Sequence, residues 1–156
     1  MKVLVACEYS GTVRDAFIKL GHDAYSCDLL KSDAGNSYHL VGDAIEIAYD
    51  TRYGWDLMVA HPPCTDIAVS GAAWFKEKIA DGRQQAALDF VQKLMDAPIK
   101  MVAIENPISV ISSKIRKPDQ IIQPWMFGHP ESKATCLWLK GLPKLVETEN
   151  VKALHD

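Results

Sequence analysis

The chain has 156 residues, about the length of one domain, and a chain of this size hides roughly 68–70% of its unfolded surface on folding. Hydrophobic residues make up 48% and charged residues 24%, which excludes collagen-like, coiled-coil and intrinsically disordered classes. Seventeen Lys and Arg against 20 Asp and Glu leave a formal charge of −3, so the chain lacks the basic excess of proteins that hold long duplex DNA by phosphate contacts alone.

Residues 2–7 (KVLVAC) form an apolar run of strand length, and a turn is expected at Ser10-Gly11. Val13, Ala16, Phe17 and Leu20 then fall on one face of a helix that Gly21 can end. Residues 23–27 (DAYSC) predict a second strand ending at Asp28, followed by a polar loop over residues 31–37. A short strand over residues 38–41 leads through Gly42-Asp43 into a brief helix at residues 44–49. Residues 55–60 (WDLMVA) predict a buried strand broken by His61-Pro62-Pro63. A helix over residues 82–95 places Ala86, Ala87, Phe90, Val91, Leu94 and Met95 inward, and residues 100–105 (KMVAIE) form the next strand. After Asn106 prolines punctuate the chain, with one clear late strand at residues 135–139 (TCLWL).

Short apolar strands alternating with helices predict an α/β domain with a mostly parallel sheet and helices on both faces. There is no repeat, low-complexity tract or linker, so one domain over residues 1–156 is expected. No apolar run approaches the ~20 residues that span a bilayer, and the N-terminus reads as a strand rather than a leader. A cytoplasmic protein without a membrane partner is expected. Cys7, Cys27, Cys64 and Cys136 are far apart, with no C-x-x-C pair, which argues against a metal site or a disulfide framework. Cys7, Cys27 and Cys136 sit in or beside apolar runs and are expected as small buried hydrophobes; Cys64 does not.

In an open parallel sheet, ligands bind beyond the carboxyl ends of the strands. The residues there are Cys7-Glu8-Tyr9-Ser10-Gly11, Asp28, Asp43, His61-Pro62-Pro63-Cys64 and Glu105-Asn106. Asp28 and Asp43 suit the hydroxyls of a ribose or the amine of an adenine; the alternative is that they cap a turn or a helix. Ser10-Gly11 at a helix opening offers backbone N–H groups to an anion. Cys64 follows two prolines and is expected at the mouth of a cleft, where a thiol can act as a nucleophile. Glu105 lies one helix-and-strand unit later, so a thiol and a carboxyl are expected to face each other. That pair suits addition to an electron-poor ring carbon with a proton or hydrogen bond supplied to a ring nitrogen.

The order of these motifs resembles the cytosine-C5 DNA methyltransferase family, most of all its very small phage and prophage members. The resemblance covers residues 3–106. It implies a Rossmann-like fold that binds S-adenosylmethionine through Cys7, Glu8, Tyr9, Ser10 and Gly11, with Asp28 on the ribose, Asp43 on the adenine, and His61 and Pro62 beside them. Cys64 corresponds to the family's catalytic cysteine and Glu105 to the acid of its Glu-Asn motif. Pro63, Asn106 and Lys133 stand where the family holds the pyrimidine, Lys133 as a loose counterpart of an arginine. Amino-group methyltransferases instead place Asp or Asn before the Pro-Pro pair and an aromatic after it, where this chain has His61 and Cys64.

The implied reaction is methyl transfer to C5 of cytosine or another pyrimidine through a covalent Cys64 adduct, in DNA or in a nucleotide. No room is seen for the family's target-recognition region, so a single-stranded, damaged or mononucleotide substrate is expected. If the chain is phage-encoded, it acts in the host cytoplasm; its oligomeric state stays open, a homodimer included. Two other readings stand: a methyltransferase-like binding module that has lost catalysis, and a nucleotide-modifying enzyme that draws on another one-carbon donor. Trp74, Phe75, Trp125 and Phe127 are candidates to stack on bases or to plug the sheet ends. Residues 76–83 read as a solvated segment from which Arg83 can reach a phosphate. Lys114, Arg116 and Lys117 form a basic cluster, and His61 and His129 are candidates to tune the site.

Overall fold

A computed structural model describes residues 1–32 and 37–154. Residues 33–36 of the expected polar loop lie outside the described residues. Among the described residues one sheet holds β1 (Lys2–Ala6), β2 (Asp23–Asp28), β3 (His39–Val41), β4 (Leu57–Ala60), β5 (Met101–Pro107), β6 (Gln120–Ile122) and β7 (Thr135–Lys140). Their order is β3-β2-β1-β4-β5-β7-β6. The first five are parallel, while β7 runs antiparallel between β5 and β6. Prediction and structure agree on a mostly parallel α/β sheet.

The direction of each crossover decides which face its helix covers. The chain leaves β1 toward β2 on one side, so α1 (Thr12–Lys19) packs Val13, Phe17 and Ile18 on Val3, Val5, Ala24 and Leu57. It returns over the sheet to β4 and then β5, so α2 (Ala44–Tyr49) and α4 (Arg83–Met95) take the other face. There Ile47, Leu88, Val91 and Leu94 meet Leu4, Met58, Val102 and Ile104. Two shorter helices, α3 (Phe75–Ala80) and α5 (Ile111–Lys114), lie in the connections.

Several elements differ from the sequence reading for identifiable reasons. The inner face of α1 is rotated: Ala16 and Leu20 are exposed and Arg14 is fully buried. The guanidinium is tolerated there because Nε donates to Asp15 Oδ1 at 2.9 Å and Nη1 donates to Ser26 Oγ at 2.9 Å. Strand β4 begins at Leu57 rather than at Trp55, whose indole Nε1 instead donates to Ile47 O at 3.1 Å. Strand β5 runs on through Pro107, because pairing with β7 continues to Pro107↔Thr135, so Glu105 and Asn106 lie inside the strand. Residues 76–83 are not wholly solvated: Lys78 on α3 is buried, its amine donating to the Thr65 carbonyl. None of the described helices is long and apolar enough to cross a membrane.

Candidate functional site

The chain leaves β1 in one direction and re-enters at β4 in the other, which makes the carboxyl ends of these two strands the switch point where α/β sheets place ligands. A cavity of about 440 Å³ lies there. Cys7, Asp28, Asp43 and Pro63 line it, as do Leu29, Gly42, Ala44, Asp66, Arg83, Ala86, Ala87 and Phe90. The inner face of α4 is thereby divided. Leu88, Val91 and Leu94 are buried in the core, whereas Ala86, Ala87 and Phe90 border the open space. Two alanines leave room where larger side chains would fill it.

Both strand-end acids also cap local structure. Asp28 Oδ1 accepts from Leu30 N at 2.9 Å, and Asp43 Oδ1 accepts from Ile45 N at 2.7 Å as the N-cap of α2. A carboxylate has two oxygens and about four lone-pair sites, so capping does not exhaust it. The lining carries Asp28, Asp43 and Asp66 against Arg83, whose Nε already donates to Asp81 Oδ2 at 2.7 Å. Asp66 is paired with the buried Lys78 Nζ at 3.7 Å. Asp28 and Asp43 have no ion-pair partner among the described residues, and in a partly desolvated hollow these two carboxylates favour a cationic ligand over an anionic one.

The opening of α1 is occupied by the protein itself. Gly11 is its N-cap, in the left-handed region at φ 78°, and has no side chain to accept from the first turn. Glu8, only 7% exposed, supplies the acceptor: Oε2 takes Val13 N at 3.1 Å and Oε1 takes Arg14 N at 3.2 Å. Thr12 N donates to Ser10 Oγ at 3.3 Å. The first-turn donors of α1, Thr12 N, Val13 N and Arg14 N, are thus engaged by this chain's own side chains. A methyl group on Gly11 would meet the buried Arg14 guanidinium, and the positive φ also favours glycine here. Tyr9 is exposed.

The turn after β4 is tied to β5 twice. Ala60 pairs with Ile104, so His61 and Glu105 follow in register. With Glu105 as the acceptor carboxylate, His61 Nδ1–H donates to Glu105 Oε1 at 2.9 Å. Asn106 Nδ2 donates to Pro62 O at 3.0 Å. On its far side His61 Nε2 is buried, has no hydrogen-bond partner among the described residues, and faces Glu8 Oε2 at 3.9 Å. Glu8, His61 and Glu105 therefore form a line across the ends of β1, β4 and β5.

Cys64 is half-buried, packs against the core cluster on the α4 side, and has its carbonyl bound by Ile67 N at 3.1 Å and Ala68 N at 2.8 Å. Its neighbour Pro63 lines the cavity, whereas Cys64, His61 and Glu105 do not. Among the described residues no hydrogen bond joins Cys64 to Glu105; the carboxyl is held by His61. The other thiols differ. Cys27 and Cys136 are buried as expected, but Cys7, at φ 61°, breaks β1 and forms cavity wall. Burial, with Cys27, Asp28 and Asp43 nearby, pushes the Cys7 thiol up to about 12, and burial also pushes Cys27 up to about 12. Burial, then the charge of Glu105, raises Cys136. A thiol of pKa about 12 is ionised to only about one part in ten thousand at pH 8, and the thiolate is what reacts. Brief alkylation at pH 8, read by peptide mass, is expected to mark Cys64 and to spare Cys7 and Cys27 until the pH approaches 12 or the chain unfolds.

The remaining expectations fall outside the cavity or change character. Lys133 lies in the exposed segment before β7, where its N donates to Gln123 Oε1 at 2.7 Å. Arg116 is tied to Asp119 at 2.9 Å and to the Leu139 carbonyl at 3.3 Å, so it braces β7 rather than forming a free basic cluster. Trp74 is exposed, and Trp125 lies under Lys152 Nζ at 5.0 Å. The described residues contain no group of three or more His, Cys, Asp or Glu arranged to hold a metal ion. Asp66 and Leu29 were not singled out from sequence, and Ala86 and Ala87 were expected on the inner face of α4 as core rather than as cavity wall. For Asp66 a signal existed: it stands two residues after Cys64, in the turn that closes the cavity.

No protein-family model matches the chain, and no curated protein matches it in sequence. Among solved structures it is similar to a prophage-encoded protein of E. coli described as a candidate DNA modification methyltransferase. The TM-score is 0.62 at 15% identity, over 97% of this chain and 53% of that one. The fold is shared, and the chain spans about half the length of that protein.

Proposed function

We propose that this chain transfers a methyl group from S-adenosylmethionine to C5 of a pyrimidine, through a covalent bond to Cys64. The observation that carries this reading is the joining of the His61-Pro62-Pro63-Cys64 turn to Glu105-Asn106 beside an acid-rich cavity at the switch point. Asp28 and Asp43 suit the ribose hydroxyls and adenine amine of the cofactor, and Phe90 with Ala86 and Ala87 suits its flat, apolar base. The carboxylates of Asp28 and Asp43 suit its positive charge and oppose an anionic folate, which sets this donor above other one-carbon donors. When bound, S-adenosylmethionine supplies an electrophilic methyl group on a cationic sulfur.

The chain's own groups then act on the ring. Cys64 Sγ bonds to C6 as the C5–C6 double bond opens, and Glu105 meets N3, where charge gathers, with a proton or hydrogen bond. C5 becomes the ring's nucleophile. Once C5 has taken the methyl group, its proton passes to solvent water, the C5–C6 double bond re-forms, any proton on N3 returns to Glu105, and the Cys64 thiolate leaves. Asn106, by fixing the Pro62 carbonyl, keeps the cysteine turn in place. The E. coli protein of the same fold is described as a DNA modification methyltransferase candidate, which favours DNA as the substrate class. With a net charge of −3, single-stranded DNA or a nucleotide fits better than a long duplex.

Calorimetry and label transfer test this together. S-adenosylmethionine is expected to bind the wild type, and Asp28→Asn or Asp43→Asn to weaken it about tenfold, the cost of replacing a charge-assisted hydrogen bond by a neutral one. Label from the cofactor is expected on C5 in a panel of pyrimidine oligonucleotides and nucleotides. A folded protein that binds no cofactor at millimolar concentration overturns the reading and favours a binding module.

A further inference from the structure

We propose that His61 is a positioning residue for Glu105: its imidazole, set between Glu8 and Glu105, holds the acid's carboxyl where the substrate ring arrives. This rests on the reading above, in which Glu105 meets the pyrimidine.

Glu105 needs such a support. Its side chain is 33% exposed near the carboxyl end of β5, and a glutamate there loses substantial rotamer freedom when fixed. Among the described residues, its one recorded side-chain hydrogen bond is from His61 Nδ1 at 2.9 Å. The imidazole in turn is held by position. It follows β4 directly, with its N bonded to Ala6 O at 3.0 Å, and its Nε2 faces Glu8 Oε2 at 3.9 Å. Glu8 is fixed by two backbone N–H groups of α1. The line therefore runs from a helix terminus through two side chains to the proposed acid. The charged groups recorded against His61 are Glu8 from the end of β1 and Glu105 from β5.

A plain structural clasp is not required here, since β4 and β5 are already joined by four register pairs from Leu57↔Met101 to Ala60↔Ile104. A buried ring nitrogen without a partner would also be a poor choice for a clasp. The arrangement makes sense if the other nitrogen must present a carboxyl in one orientation. Nδ1–H can donate to only one oxygen of Glu105, which leaves Oε2 for the ring. Preorganisation of this kind acts on the chemical step, because a displacement of about 1 Å at a reacting group can cost about 100-fold in rate.

The test has two arms on the intact chain. With 15N-labelled histidine, the His61 Nδ1–H proton is expected to exchange slowly with water in the wild type. In Glu105→Leu, which offers no acceptor, it is expected to exchange at least about tenfold faster. Equal exchange in the two proteins overturns the proposal. In turnover with labelled S-adenosylmethionine, His61→Leu is expected to lower kcat about 100-fold with cofactor affinity unchanged. His61→Asn, whose amide N–H can stand in for Nδ1–H, is expected to recover at least about tenfold of that loss. A cofactor-binding His61→Leu with wild-type kcat overturns the proposal, as does a His61→Asn no better than His61→Leu. If the wild type transfers no methyl group, the functional reading fails and the positioning role with it, while the exchange arm still decides whether His61 holds the Glu105 carboxyl.

Discussion

Cys64→Ala is expected to remove methyl transfer while leaving the fold and the cofactor site intact. Cys64 is not on the wall of the cavity lined by Asp28, Asp43 and Asp66, so cofactor affinity by calorimetry should match the wild type. Its backbone carbonyl, which holds Ile67 N and Ala68 N, is retained in the variant. The side chain is half-buried, so truncation removes little packing. Loss of the nucleophile removes the only proposed route to an electron-rich C5, and the rate should fall by about 10⁴-fold or more. The measurement is single-turnover label transfer, with Cys64→Ser beside it. A hydroxyl is far less nucleophilic than a thiolate, so serine should not rescue. A variant that binds cofactor normally and keeps even a tenth of wild-type transfer would rule out the covalent route.

The second large effect is on stability. Trp138 on β7 is 1% exposed, stands opposite Ile104, and donates Nε1–H to the Arg116 carbonyl at 2.8 Å. Trp138→Ala removes the largest fully buried side chain and opens a void between the sheet and its helix layer. A Trp-to-Ala change in a core costs about 3–5 kcal/mol, a large share of the 5–15 kcal/mol typical of a whole domain. Urea unfolding should show a much lower midpoint at nearly unchanged slope. Trp138→Phe separates the parts: it keeps most of the packing and loses one hydrogen bond, worth about 0.5–1.5 kcal/mol. A Trp138→Ala protein within 1 kcal/mol of the wild type would mean that β7 is not the buried strand described here.

How far the sequence could be read differs between the fold and the site. Apolar runs of strand length marked β1, β4 and β5, because a strand covered on both faces is mostly apolar, whereas β2, with Asp23, Ser26 and Asp28, was legible by its place between turn residues. Strand β7 was visible as an apolar run, but not its place: an antiparallel insertion between β5 and β6 is fixed by pairing across the chain, which local pattern does not encode. The three-residue β6, with Ile121 exposed, carries no alternation to detect. Helix α1 misled because Arg14 takes a position that periodicity reserves for an apolar side chain; what admits it is Ser26 on a different strand.

In the site, strand ends could be named because the fold class places ligands there, and Asp28, Asp43, Cys7 and Pro63 do line one cavity. Their neighbours were harder. Glu8 stood among the expected cofactor residues; it does not line the cavity, and both its carboxylate oxygens accept from the opening of α1, since a Gly N-cap leaves donors that some acceptor must satisfy. His61 likewise turns to Glu105 rather than to the cavity, a contact set by the β4–β5 register. Pairings of this sort depend on which strands become neighbours, and a single sequence is silent about them.

The most direct measurement is to trap the proposed intermediate. Fluorine at C5 cannot be lost as a proton is, so a 5-fluoropyrimidine should remain bonded to the cysteine after methyl transfer. The protein would be incubated with S-adenosylmethionine and single-stranded oligonucleotides carrying 5-fluorocytosine or 5-fluorouracil, then digested and mapped by mass. The expected result is a methylated fluoropyrimidine nucleotide attached to the peptide that contains Cys64, absent without cofactor and absent in Cys64→Ala. Methyl transfer to ordinary pyrimidine with no adduct on that peptide, or an adduct on another residue, contradicts it.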